Sequence, residues 1–88
     1  MKYRVEYTAK AEKTLARMDK QTSARIYAWI GKNLVDCEEP RMFGKALTGN
    51  LAGLWRYRVG DYRIIARIKD REVIISVIDI GHRSNVYM

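Results

Sequence analysis

The sequence predicts an α+β domain in the order β-α-α-β-β-β, a twisted, mostly antiparallel sheet with a two-helix hairpin packed on one face. Three observations predict it. Apolar and polar residues alternate with period two on both sides of Gly60-Asp61, and apolar residues recur at helical spacing between Ala11 and Leu34. The stretch between these regions holds the single proline, Pro40, and three of the six glycines, Gly44, Gly49 and Gly53. Eighty-eight residues with 48% hydrophobic content suffice for one domain, residues 1–88, and one modest core.

Residues 2–7 alternate, with Tyr3, Val5 and Tyr7 on one side, and read as a strand. Thr8 is placed to cap a helix beginning near Ala9, in which Ala11, Leu15 and Met18 form a narrow apolar stripe and Lys10, Lys13 and Arg17 lie outside. A break is expected over residues 19–23. A second helix then runs to about Val35, burying Ile26 and Ile30, with Trp29 and Leu34 beside them. Residues 36–53 read as a loop, and loops of that length are uncommon unless functional. Strands are expected at 54–59, 62–68 and 72–80. Gly60-Asp61 suits a two-residue type II′ turn. Pairing Val59 with Tyr62 then sets Arg58 opposite Arg63, Arg56 opposite Ile65 and Leu54 opposite Arg67. Asp70 and Arg71 make a second tight turn, after which Val73, Ile75 and Val77 continue the core face.

Successive side chains of a strand point to opposite faces. Trp55, Tyr57, Val59, Tyr62, Ile64 and Ala66 therefore fill the core face, and Arg56, Arg58, Arg63 and Arg67 share the other. Like charges opposed across a sheet are destabilising. A face built this way needs an anion to hold, and a phosphate backbone is the leading candidate. The charge distribution agrees. Residues 1–39 carry a net charge of +2, whereas residues 40–88 carry +5, with seven arginines among their nine basic residues. Arginine suits planar, bidentate phosphate contacts. The lone cysteine, Cys37, cannot form an internal disulfide, which fits a reducing cytoplasm. No apolar run approaches the roughly 20 residues needed to span a bilayer, and residues 1–10 lack the apolar core of a signal peptide, so no membrane role is expected. One histidine, one cysteine and scattered carboxylates lack metal-ligand spacing; neither metal nor other cofactor is expected.

The element order, the segment Lys45-Ala46-Leu47-Thr48-Gly49, the hairpin from Trp55 to Arg63 and the ending from Ile80 to Tyr87 together resemble RelE-type toxins of bacterial toxin–antitoxin modules, over nearly the whole chain. The resemblance implies a ribosome-dependent endoribonuclease that cuts mRNA in the ribosomal A site and is held in check by an antitoxin. The family's two basic residues on the strand before the turn match Arg56 and Arg58, and its arginine after the turn matches Arg63. Its arginine after the glycine of the last strand matches Arg83, and its C-terminal tyrosine matches Tyr87. Two departures stand out. The strand positions, often lysine in the family, are arginine here, and the sequence stops one residue after Tyr87 without the extra C-terminal helix of some relatives.

Cutting RNA through the neighbouring 2′-OH requires a base, an acid for the 5′-oxygen and cations for the charge on phosphorus. Arginine stays protonated in proteins. Arg56, Arg58 and Arg63 are therefore expected to bind phosphate and stabilise the transition state, with Arg83 at the leaving oxygen by analogy with the family. Tyr87 is the first candidate for the base, His82 the second, and a ribosomal group or solvent the third. Arg67, Lys45 and Arg41 are expected to contact RNA or the ribosome, including 16S rRNA. By the same resemblance a small RelB-like antitoxin should cover the basic face or displace the C-terminal tail. Two rival functions remain: a ParE-like toxin that inhibits DNA gyrase without cutting RNA, and a plain nucleic-acid-binding module. Against the module, no helix-turn-helix is visible, and the second helix carries only Arg25 and Lys32 as basic groups.

Overall fold

The computed structural model describes residues 1–82. Its elements are β1 (Arg4–Tyr7), α1 (Ala9–Arg17), α2 (Lys20–Asn33), β2 (Lys45–Ala46), a 3-10 turn (Gly49–Leu51), β3 (Trp55–Val59), β4 (Tyr62–Lys69) and β5 (Ile74–His82). The five strands form one sheet in the order β1-β5-β4-β3-β2. β1 pairs parallel with β5, and every other pair is antiparallel. This is the α+β architecture that the sequence predicts, with one additional strand.

Local chemistry explains the helices. Thr8 is extended and its hydroxyl accepts from the Ala11 amide at 3.1 Å, closing the N-terminus of α1. The expected break at 19–23 shrinks to Met18 and Asp19. Asp19 does not open a loop but caps α2, its carboxylate accepting from the Gln21 and Thr22 amides at 3.1 and 3.2 Å. Ala11 and Leu15 of α1 and Ile26 and Ile30 of α2, with Leu34 after it, are buried against Tyr57, Val59, Ile64, Ala66, Ile75, Val77 and Ile80 of the sheet. Trp29, Trp55 and Tyr62 pack half-buried at the margin of this core.

The hairpin register is the expected one: Val59 pairs with Tyr62, Arg58 with Arg63 and Arg56 with Ile65. Gly60 has a φ of +59° and Asp61 does not join it in the left-handed region, as a type II′ turn requires. The ladder begins at Trp55, so the expected Leu54–Arg67 pair does not form, and Arg67 stands opposite Ser76 of β5.

Two features depart from simple alternation. The β4–β5 connection spans four residues rather than two, and Val73 sits at a φ of +57°, outside the strand expected at 72–80 and not on its core face. Between Ile65↔Asp79 and Ala66↔Val77 the register shifts, leaving Ile78 as an extra residue. This bulge turns Ile80 into the core and leaves Asp79 opposite Ile65, where its carboxylate meets Lys10 of α1 at 3.3 Å.

Candidate nucleic-acid interface

The hairpin positions its cations by burying the residues between them. Tyr57, Val59, Ile64 and Ala66 are all buried against the helices, which obliges Arg56, Arg58, Arg63 and Arg67 to the opposite face. Arg58 and Arg63 form a directly opposed like-charge pair. The edge strand β2 adds a second one, because Lys45 stands across from Arg56. Four cations from three strands thus make a continuous band, and Arg67 lies four residues beyond Arg63 along β4, past Ile65 on the same face.

Arg58 and Arg67 are exposed, and Arg56 and Arg63 are half-buried. The Arg56 Nε is buried without a hydrogen-bond partner. Neither Arg56 nor Arg58 has a carboxylate partner among the described residues; the ion pairs recorded there join Lys10 to Asp79 and Arg41 to Asp70. A buried guanidinium nitrogen without a partner is costly, and an anion held over the band would offset that cost. Ile65 and Ile74 are also buried on this face, apart from the helix-side core cluster.

The other anticipated residues are distributed as follows. His82 pairs with Tyr62 on the β4–β5 ladder, and its ring stands edge-on to Tyr62 with centroids 5.7 Å apart. That is the helix side of the sheet, so His82 is not gathered with the arginine band. Arg41 makes a bidentate contact with Asp70, at 3.0 and 2.9 Å, and the Tyr3 hydroxyl donates to the same carboxylate at 2.7 Å. The Arg41 guanidinium, then the Tyr3 hydroxyl, hold Asp70 below the usual carboxylate range, while the carboxylate raises the pKa values of Arg41 and Tyr3. Arg83 and Tyr87 lie outside the described residues. Burial pushes the Cys37 thiol up, leaving it a neutral loop residue.

The segment expected to be an unstructured loop is anchored at several points. Tyr57, fully buried, donates its hydroxyl to the Pro40 carbonyl at 2.7 Å, and the Trp55 indole donates to the Phe43 carbonyl at 2.6 Å. Gly44 has a φ of +80°, and its α-carbon lies against the Arg56 carbonyl, where a Cβ has no room. These contacts place Phe43 edge-on to Trp29 of α2, with centroids 6.0 Å apart at 75°. Both rings line a groove of about 460 Å³ together with Gly44, Lys45, Arg56 and Arg58. Sequence reasoning missed β2 and this aromatic corner. Two residues are too few for periodicity to register, and the available signal was only an aromatic, a glycine and a lysine in succession.

Among the described residues no three His, Cys, Asp or Glu side chains gather as a metal site would require. No described helix is long and apolar enough to cross a membrane.

Comparison with known proteins fits this arrangement. Residues 5–87 match the family described as ParE toxin of type II toxin–antitoxin system, parDE. The chain is 30% identical to Toxin RelG of Mycobacterium tuberculosis over 87 residues, covering 99% of this chain and 98% of that protein. It is 33% identical to Toxin RelE of the same organism over 85 residues, covering 97% and 86%. A chain of the RelBE2 toxin–antitoxin complex, also from M. tuberculosis, superposes with a TM-score of 0.84 at 29% identity, covering 94% of this chain and all of that one. The chain belongs to the RelE/ParE family of type II toxin–antitoxin toxins.

Proposed function

We propose that this toxin is a ribosome-dependent mRNA endoribonuclease, acting as a single domain over residues 1–88 and cutting in the ribosomal A site. The observation that carries the reading is the band of Lys45, Arg56, Arg58 and Arg63, of which Arg56 and Arg58 lack carboxylate partners among the described residues. In the proposed reaction the ribose 2′-OH loses its proton to a base and attacks the adjacent phosphorus. The 5′-oxygen leaves with a proton supplied by an acid, giving a 2′,3′-cyclic phosphate and a 5′-hydroxyl. No metal is needed for these steps. Arg56, Arg58 and Arg63 hold the phosphate and its developing charge, and Arg83 serves the leaving oxygen. Arg67 and Lys45 extend the contact to RNA, including 16S rRNA. Arg41 contributes charge there in the same way, although its guanidinium is already engaged by Asp70.

Tyr87 is the preferred base. His82 stands against Tyr62 on the helix side, which favours Tyr87 over it. The rest of the rate comes from ribosomal positioning, since orientation alone can supply several kcal/mol. A RelB-like antitoxin is the proposed partner, supported by the likeness to a chain of a toxin–antitoxin complex.

The alternative is a ParE-like inhibitor of DNA gyrase without nuclease activity, favoured by the ParE description of the matching family. Cleavage mapping on a defined mRNA, with and without translating ribosomes, decides between them. The nuclease reading expects A-site cuts that require ribosomes, collapse in Arg83→Ala and weaken in Tyr87→Phe. No cleavage by the wild type under either condition sinks it, and gyrase inhibition is then the assay to run. Full activity in Tyr87→Phe removes tyrosine as the base.

A further inference from the structure

The groove beside the arginine band has a composition that phosphate binding alone does not require. It is lined by two aromatic residues, Phe43 and Trp29, together with Gly44, Lys45, Arg56 and Arg58. Three of the six lining residues are cations and none is a carboxylate. Its volume of about 460 Å³ falls within the roughly 300–1,000 Å³ of sites that take a small molecule or one nucleotide-sized unit.

The rings are fixed before any ligand arrives. Trp29 leans on the buried Tyr57 ring at 5.7 Å, and the Phe43 backbone is held by the Trp55 indole and by Gly44 against the Arg56 carbonyl. Phe43 nevertheless remains 37% exposed. A residue that served only to close the core would be covered. The rings meet at 75° and so make a corner rather than a flat wall, which suits one planar group more than an apolar helix. A base-stacking ring beside a cationic track is the usual chemistry for holding single-stranded nucleic acid.

We infer that this groove is a nucleotide subsite, in which one unstacked RNA base lies in the Phe43–Trp29 corner while its phosphate is held by Lys45. The inference rests on the reading of the arginine band as an RNA site and deepens it: Phe43 positions the strand one nucleotide away from the phosphate on Arg56, Arg58 and Arg63. It also explains why β2 exists. The two-residue strand carries Lys45 into register with Arg56 while Gly44 turns Phe43 toward Trp29.

The test measures binding of a short single-stranded RNA, made uncleavable by 2′-O-methylation, to the wild type, Phe43→Ala, Phe43→Leu and Lys45→Gln. A matched RNA with one base removed at each position in turn is the second probe. Phe43→Leu keeps an apolar side chain against Trp29, and thermal unfolding of each variant separates lost binding from lost structure. Both Phe43 variants should weaken the intact RNA roughly tenfold, the usual scale for one stacked base. One abasic position should weaken the wild type by the same factor and leave Phe43→Leu unaffected. Lys45→Gln should lower the slope of log affinity against log salt by about 0.7, as expected for one lost single-strand phosphate contact. Equal binding by wild type and Phe43→Leu overturns the inference. So does a loss in Phe43→Leu that no abasic position reproduces, or a loss confined to an antitoxin segment, which would make the groove a protein-docking site. Ribosomal cleavage distinguishes the two failures. A wild type that cuts mRNA but binds RNA without Phe43 keeps the nuclease and loses the subsite. One that shows the Phe43–base coupling but never cuts keeps the subsite and loses the nuclease.

Discussion

Arg58 and Arg63 face each other directly across the β3–β4 hairpin, with no carboxylate on Arg58 among the described residues. Like charges in this position cost stability by about as much as an opposed pair gains it, roughly 0.2–1 kcal/mol. Arg58→Gln should therefore unfold at higher urea concentration than the wild type, most visibly at low salt, while RNA cleavage on ribosomes falls. A variant that is both less stable and fully active would contradict the assignment of Arg58 to anion binding.

Gly44→Ala should be destabilising and should also disturb the site. The left-handed backbone at φ +80° alone costs a non-glycine residue about 1–3 kcal/mol, and the Arg56 carbonyl leaves no space for the added methyl. Chemical denaturation gives the loss. Indole fluorescence of Trp55 and Trp29 should shift as the segment moves off β3. Gly49→Ala, with open space at its Cβ, meets the backbone cost without the clash and should lose less.

Tyr57→Phe removes the hydroxyl that donates to the Pro40 carbonyl at 2.7 Å. The acceptor is left buried without its partner, at a cost of roughly 1–3 kcal/mol. Faster proteolysis within residues 36–44 at unchanged cleavage elsewhere would be the local signature. Unaltered stability would mean that water replaces the hydroxyl.

Alkaline titration should show two phenols made reluctant by burial, beside Tyr3, which its hydrogen bond to Asp70 raises. Burial pushes Tyr7 up to about 12, and it raises Tyr57 as well. A folded-state pKa above the unfolded value contributes stability that is complete below about pH 10 and is lost as pH rises towards the folded value. Phenolate absorbance should thus rise for accessible tyrosines first, and the Tyr7 and Tyr57 steps should coincide with unfolding. Early reversible ionisation of every tyrosine would refute this.

In acid the sign reverses. Asp70 is held below the usual carboxylate range by Arg41 and then Tyr3, so its contribution is present above the unfolded pKa and disappears as pH falls through the folded one. The stability gap between wild type and Asp70→Asn should be constant near neutrality and close below about pH 3.9, the ordinary aspartate value. A gap that persists at the lowest accessible pH would assign the effect to packing of the turn instead.

The hairpin was legible in the sequence because Gly60-Asp61 fixes its register and the residues from Trp55 to Ile64 alternate on either side of that turn, Ile65 being the first apolar residue on the arginine face. Thr8 was legible as a cap because a hydroxyl before an apolar stripe has few other uses. Three features were not legible. The bulge at Ile78 lies in a run of five apolar residues out of seven, Ile74 to Ile80, where alternation carries no information. Met18 ends one helix and Asp19 begins the next, and sequence spacing cannot distinguish that from a longer turn. β2 pairs with β3 in a segment that Trp55 and Tyr57 also hold through the Phe43 and Pro40 carbonyls, contacts between residues 12 and 17 apart. In the candidate site, Arg56, Arg58 and Arg63 came from pattern alone, whereas the Trp29–Phe43 corner needed tertiary structure.

The position of β5 has a consequence for how the molecule is born. It is the last strand to be synthesised, yet it lies between β1 and β4. Among the described residues β1 pairs with no other strand, and the Thr8 hydroxyl that caps α1 also donates to the Ile78 carbonyl, 70 residues away. A chain emerging from its N-terminus can form both helices and the β3–β4 hairpin early, since these contacts are local. Arg4–Tyr7 must wait, and so must the core face completed by Ile75, Val77 and Ile80. The nascent polypeptide can thus set Arg58 opposite Arg63 while the hairpin still stands alone, and the sheet that backs this pair is completed only when β5 slots in beside β4.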